Sequence, residues 1–148
     1  MRILVTGGRS WDDRKIIMDA LLEATRGMNW DDVTVVHGGA RGADTIAAEL
    51  ATGFGMKTEA HLANWSEYHR AAGPIRNKKM VDLGADVCLA FLMPNSKGTA
   101  NCVEQAKKAG IKIKLYYPKP ENTKKVVSLK EVPHYGYEKY TKSENADK

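Results

Sequence analysis

Val35-Val36-His37-Gly38-Gly39-Ala40-Arg41-Gly42-Ala43-Asp44 is the stretch that decides the fold. A β-branched run ends in a glycine cluster, and a helical pattern carrying Ile46, Ala47, Leu50 and Ala51 begins at once. Strand, tight turn and amphipathic helix in that order make one βα unit of a parallel sheet. Upstream the pattern repeats. Arg2 to Thr6 reads as a buried strand, Gly7-Gly8-Arg9 follows, and Ser10 or Asp12 caps a helix with Ile16, Ile17, Ala20, Leu21 and Ala24 on one face.

Downstream the alternation continues. The second strand spans Asp32 to His37 and its helix reaches Gly53 or Gly55. Lys57 to Leu62 is a weaker third strand. Trp65 to Leu83 is expected as two helical pieces with a bend at Gly73-Pro74. Asp86 to Leu92 is a buried strand, Pro94 to Gly98 its loop, Thr99 to Ala109 a helix closed by Gly110, and Ile111 to Tyr117 the last strand. The chain is therefore expected to be α/β: a Rossmann-like three-layer domain over residues 1–117 with a mostly parallel five-stranded sheet. Residues 118–148 lose apolar periodicity and form a lysine-rich C-terminal extension. It is expected to be partly disordered beyond about Tyr140, with Val126-Val127-Ser128-Leu129 as a candidate edge strand.

Composition narrows the function classes. With 148 residues, 43% of them apolar, the chain fits one domain with a real core. No run of roughly 18 apolar residues exists, so no membrane partner is expected, and the apolar start is too short for a signal peptide. Cys88 and Cys102 make neither a disulfide framework nor a zinc site, which points to reduced thiols and the cytoplasm. His61 and His69 have no carboxylate or cysteine at ligand spacing, so no metal is expected. A net charge of +5 and a pI near 9.2 suit an anionic ligand. The lysines are dispersed rather than gathered into a basic arm, which leaves nucleic acid the less favoured partner.

Three loops follow strand ends, the edge of a parallel sheet where ligands bind. They are Thr6-Gly7-Gly8-Arg9-Ser10, then His37 to Asp44, then Pro94-Asn95-Ser96-Lys97-Gly98-Thr99. Glycine admits close backbone approach, and the helix N-terminus behind each loop favours phosphate. The candidate ligand-binding residues are Gly7, Gly8, Arg9, Ser10, His37, Gly38, Gly39, Arg41, Gly42, Asp44, Arg76, Asn77, Pro94, Ser96, Gly98 and Thr99. Arg9, Arg41 and Arg76 are the expected anion contacts, since a guanidinium fork matches phosphate oxygens. For Arg76 the plain alternative is a surface charge paired with Asp82 or Asp86. For Asp44 it is a helix-dipole partner rather than a ribose acceptor. Trp11, Trp65 and Tyr68 stack on a base or else cover the core edge. Neither the P-loop pattern nor G-x-G-x-x-G is present, and no cofactor is expected.

Thr6 to Arg14, Val35 to Asp44, and Ala72-Gly73-Pro74-Ile75-Arg76-Asn77 with Met80 resemble the YspA-like family. That family sits in the SLOG superfamily of Smf/DprA and Lonely guy proteins. The resemblance covers Arg2 to about Tyr117. It implies a pocket for a nucleotide or nucleotide-derived molecule, in proteins of bacteria or phages, and pairing through helices, hence a homo-oligomer. Lonely guy enzymes cleave the N-glycosidic bond of cytokinin nucleotides with a P-G-G-x-G-T-x-x-E signature and an arginine. Arg76 is similar to that arginine and is the one catalytic candidate, while Pro94, Gly98 and Thr99 are similar to the signature's frame.

Asn95 and Ser96 replace the paired glycines, and Cys102 stands where the glutamate belongs. A thiol cannot stabilise an oxocarbenium-like state as a carboxylate does. Glu104 is rotated about 200° around the helix from that position. The leading expectation is a nucleotide-ligand binder acting as sensor, carrier or sequestering protein. The alternatives are an N-glycosidase using another carboxylate, such as Asp44 or Glu67, and a single-stranded DNA module of DprA type.

Overall fold

In the computed structural model, residues 1–120 are described. The Val126–Leu129 edge strand and the C-terminal disorder expected above lie outside them. Five strands form one all-parallel sheet: β1 (Arg2–Gly7), β2 (Thr34–His37), β3 (Lys57–Ala60), β4 (Val87–Phe91) and β5 (Lys112–Tyr116). Their order is β3-β2-β1-β4-β5. The chain thus grows outward from β1 in one direction, then returns to grow in the other, leaving a crevice between β1 and β4 at their carboxyl ends. The register pairs Leu4 with Val36 on one side and with Cys88 on the other.

Helices α1 (Arg14–Ala24) and α2 (Ala43–Phe54) cover one face; α4 (Ala72–Leu83) and α5 (Lys97–Lys108) cover the other, with the single turn α3 (Trp65–Tyr68) ahead of α4. Alternation along the strands separates two cores. Ile3, Val5, Val35, Leu89 and Phe91 pack with Ile16, Ile17, Leu21 and the alanine stripe Ala43, Ala47, Ala51. Leu4, Val36 and Cys88 pack with Met80, Val81, Cys102 and Ala106. Trp11 is buried edge-on against Phe91 at 5.4 Å, so it covers the core rather than a ligand.

Three local expectations need correction. Asp13, not Ser10 or Asp12, caps α1, its carboxylate accepting from Ile16 N–H at 3.2 Å. Asp32 belongs to a 3₁₀ turn, Trp30–Asp32, that precedes β2. Gly73-Pro74 does not bend a helix. The break comes earlier, at the 3₁₀ turn His69–Ala71, and Pro74 sits in the first turn of α4. Its missing N–H costs nothing there, because first-turn amides have no intrahelical acceptor. Among the described residues no helix is long and apolar enough to cross a membrane.

Candidate functional site

A cavity of about 610 Å³ opens at the carboxyl ends of β1 and β4. The first loop contributes Gly7, Gly8, Arg9 and Ser10 to its wall, and the third contributes Pro94, Ser96, Gly98 and Thr99. Gly8 N–H donates to Phe91 O at 3.0 Å, tying the two loops across the crevice. Ser96 occupies the cap position of α5, yet its hydroxyl accepts no helix N–H. Lys97 N–H donates to Asn95 O at 3.0 Å, which leaves the amides of Gly98 and Thr99 available at the cavity, alongside the Ser96 hydroxyl. Thr99 is buried, lines the same wall and makes no side-chain hydrogen bond among the described residues.

The second loop is held from inside. Asp44 Oδ2 accepts from Gly38 N–H at 2.9 Å and from Ala40 N–H at 3.3 Å. His37 Nδ1 accepts from Gly39 N–H at 3.0 Å. Gly42 has φ +78°, and a Cβ there would lie 2.3 Å from Gly8 O. That close approach lets Ala43 N–H donate to Gly8 O at 3.2 Å, clasping the second loop to the first. His37 and Gly42 consequently lie behind the loop, off the wall where ligand contact was expected. Burial, then His61 and Arg76, lower the His37 pKa and keep it a neutral acceptor.

Helix α4 joins the loops. Arg76 Nη1 donates to Gly38 O at 2.8 Å and to His61 O at 3.3 Å, while Nε donates to Asn77 Oδ1 at 2.9 Å. Asn77 Nδ2 in turn donates to Gly98 O at 3.2 Å and to Asn101 Oδ1 at 3.0 Å. One hydrogen-bonded chain thus runs from the second loop through Arg76 and Asn77 to the third. A Cβ on Gly38 would sit 2.2 Å from Arg76 Nη1, which accounts for glycine at that position. Pairing of Arg76 with Asp82 or Asp86 does not occur: Lys78 takes Asp82, and Asp86 accepts the Arg2 backbone N–H.

Charge on the wall is one-sided. Arg9, Arg41, Arg70, Arg76 and Lys97 line the cavity against a single carboxylate, Asp44. Arg9, Arg41, Arg70 and Lys97 make no ion pair among the described residues. The Arg9 guanidinium lies 5.7 Å from the ring centre of Trp65. Burial pushes the Asp44 pKa up to about 6, against the pull of the two N–H donors, Arg76 and Arg9. Its Oδ1 accepts no hydrogen bond among the described residues.

This set of groups is able to hold an anion. Glycoside hydrolysis ordinarily uses two carboxylates, and among the described residues the wall holds one. Cys102 is fully buried beneath the cavity against Cys88 and the Thr6 hydroxyl. The Cys102 contact and burial raise the Cys88 pKa, so that group stays a thiol. Glu104 faces Lys108, and Glu67 accepts from Asn64 at the start of α3. Among the described residues no group of three His, Cys, Asp or Glu is placed to hold a metal ion. Asn101, Arg70 and Lys97 are wall residues that sequence reasoning passed over. Lys97 lies inside a quoted loop, and Asn101 is one helical turn beyond Gly98; that spacing was the available signal.

The model of the YspA, cpYpsA-related SLOG family matches residues 1–68. Gene 61 protein of Mycobacterium phage D29 is 44% identical over 124 residues, spanning 80% of this chain and 98% of its own length. DNA processing protein A from Streptococcus pneumoniae superposes with a TM-score of 0.64 at 17% identity, over 82% of this chain and 52% of that one. The Helicobacter pylori counterpart, described for its unique single-stranded DNA binding mode, gives 0.57 at 16% identity, over 82% and 67%. This chain therefore spans about half the length of the pneumococcal structure. At such identities the two structures show a shared fold.

Proposed function

This chain belongs to the YspA, cpYpsA-related SLOG family, and we propose that it binds a nucleotide or nucleotide-derived phosphorylated ligand as a sensor, carrier or sequestering protein. One observation carries the reading: four cationic side chains without carboxylate partners and the open N-terminus of α5 converge on one cavity at the strand-order switch. Phosphate is the group that this set satisfies, through guanidinium forks and backbone N–H donors together. Arg9 and Arg41 would make the direct contacts, since their side chains are not used elsewhere as hydrogen-bond donors. Arg76 and Asn77 hold the frame, and Arg76 also presents its charge to the cavity.

Titration calorimetry against a panel of nucleotides tests the reading, with mass spectrometry of co-purifying small molecules to name the ligand. Arg41→Ala should weaken binding by more than about 1 kcal/mol and leave the melting temperature in place. No nucleotide bound more tightly than about 1 mM, near −4 kcal/mol, would sink the proposal.

Single-stranded DNA is the second reading, favoured by the half-exposed Trp65 beside Arg9 and by the DNA-binding neighbour. Strand affinity falling steeply with salt, with no mononucleotide binding, would favour it instead.

A further inference from the structure

A second cavity, of about 330 Å³, adjoins the first. Arg9, Ala40, Arg41, Trp65 and Arg76 line both, so the two share a wall of three arginines rather than merely lying near one another. Their far walls differ in chemistry. Beyond the arginines the larger cavity offers Ser96, Thr99, Asn101 and the amides that open α5. The smaller one offers Leu62, Ala63 and the Gly38-Gly39 backbone, beside the shared Trp65 ring. Leu62 and Trp65 are large apolar side chains left 75% and 48% exposed at this spot, beside a guanidinium. An apolar, ring-bearing chamber suits a planar base, since every base has a face to stack on an aromatic side chain. The arginine junction suits the phosphate, and the polar chamber suits a second sugar with its attached group.

We propose that the two cavities form one bipartite site whose ligand is a phosphate-bridged dinucleotide, with the bridge at Arg9, Arg41 and Arg76 and one base against Trp65. This rests on the nucleotide-binding reading above and assigns it a ligand class. A mononucleotide fills half of the site, its base against Trp65 and its phosphate at the arginines, and leaves the Ser96 and Thr99 wall of the larger cavity in water. A bridged ligand covers both halves and places its negative charge where the cations are densest. Affinity should rise on passing from one nucleoside to two, and then stop rising.

The test is calorimetry on the full chain with 5′-AMP, the phosphodiester pApA, the pyrophosphate-bridged NAD and a ten-residue oligothymidylate. At least one of the two bridged ligands should bind about tenfold more tightly than AMP, the scale of one or two hydrogen bonds added in the polar chamber. Trp65→Ala should weaken AMP and the bridged ligands alike, by about tenfold, and leave the melting temperature unchanged, since Trp65 lies outside both cores; a variant that binds all of them as the parent does overturns the placement of a base against Trp65. Equal affinity for AMP and both bridged ligands overturns the bipartite site and leaves the nucleotide reading standing. Absence of binding to all four overturns both. Affinity that keeps climbing into the oligothymidylate also overturns it, because the site would then be a section of a strand-binding groove.

Discussion

Two sets of arginines stand at opposite ends of the central strands. At the amino end, Arg2 donates through both terminal nitrogens to Glu59, at 3.0 and 2.9 Å, and through Nε to Gly84 O at 2.9 Å. Its backbone N–H goes to Asp86. At the carboxyl end, Arg9 and Arg41 face the cavity with no carboxylate partner among the described residues. The same side chain is a strut in one place and an unmet charge in the other. Unmet charge lowers the stability of the compact state through self-repulsion, and its gathering around one cavity is what supports the proposed binding site at that end. Arg76 belongs to both groups, bracing two carbonyls with Nη1 while lining the cavity.

The largest effect should therefore come from Arg76. Arg76→Ala leaves Gly38 O, His61 O and Asn77 Oδ1 without a donor and removes a cation from the wall. Stability should fall by about 2 kcal/mol and nucleotide affinity by about 100-fold, near 2.7 kcal/mol, read by denaturant unfolding and calorimetry. Arg76→Lys should not rescue either property, because an ammonium cannot span Gly38 O and Asn77 Oδ1 with a planar fork. Loss of affinity with stability untouched would move Arg76 wholly into the group of Arg9 and Arg41.

Acid separates the two ends by sign. Glu59, at the strut, has its pKa lowered to about 2, chiefly by Arg2 and then by His61. Its contribution to stability is present above the unfolded value of about 4.5 and is lost as pH falls toward 2. Asp44, at the cavity, is raised from 3.8 to about 6 by burial. Between those values the folded state holds a proton that the unfolded chain has released, so stability falls as pH rises through the window. The change is on the order of 3 kcal/mol. Asp44→Asn keeps an acceptor for Gly38 and Ala40 N–H but cannot ionise, and should flatten the pH 4–6 limb of unfolding midpoints. Parallel curves for the variant and the parent would show that Asp44 is not the group responsible.

The βα alternation was legible because it is local: β-branched runs, turn glycines and 3.6-residue spacing need no distant partner. A mostly parallel five-stranded sheet followed from that alternation, and all of its pairings are parallel. Part of what escaped depends on contacts far along the chain, and part on loop conformations that residue type alone does not set. The glycine surplus of the second loop reads as a ligand cradle in sequence, but Gly38 makes room for Arg76, 38 residues away, and Gly42 for Gly8 O. Asp44 reads as a helix-start carboxylate and turns out to fasten the loop ahead of it. Gly73-Pro74 reads as a bend because proline in a helix interior breaks the ladder. Only the placement of the 3₁₀ turn shows that it opens α4 instead. The candidate wall was anticipated in large part, with Gly7 to Ser10, Arg41, Asp44, Arg76 and the Pro94 to Thr99 loop all lining the first cavity. Its bracing was not.

Arg2 shows the limit most clearly: its place at the start of the first strand sets it apart from Arg9 in the glycine loop beyond, but its partners Glu59, Gly84 and Asp86 appear only in three dimensions. The smallest predicted effect concerns this residue. Arg2→Ala removes a bidentate pair with Glu59, whose side chain is one-third exposed like that of Arg2. A fully buried pair would cost several kcal/mol to break, but solvent screens this one. The expected loss is about 1 kcal/mol, smaller in high salt, with nucleotide affinity unchanged within twofold, about 0.4 kcal/mol. A change in affinity as large as that for Arg41→Ala would mean that the two ends are coupled through β1, and the division between strut and binding arginines would fail.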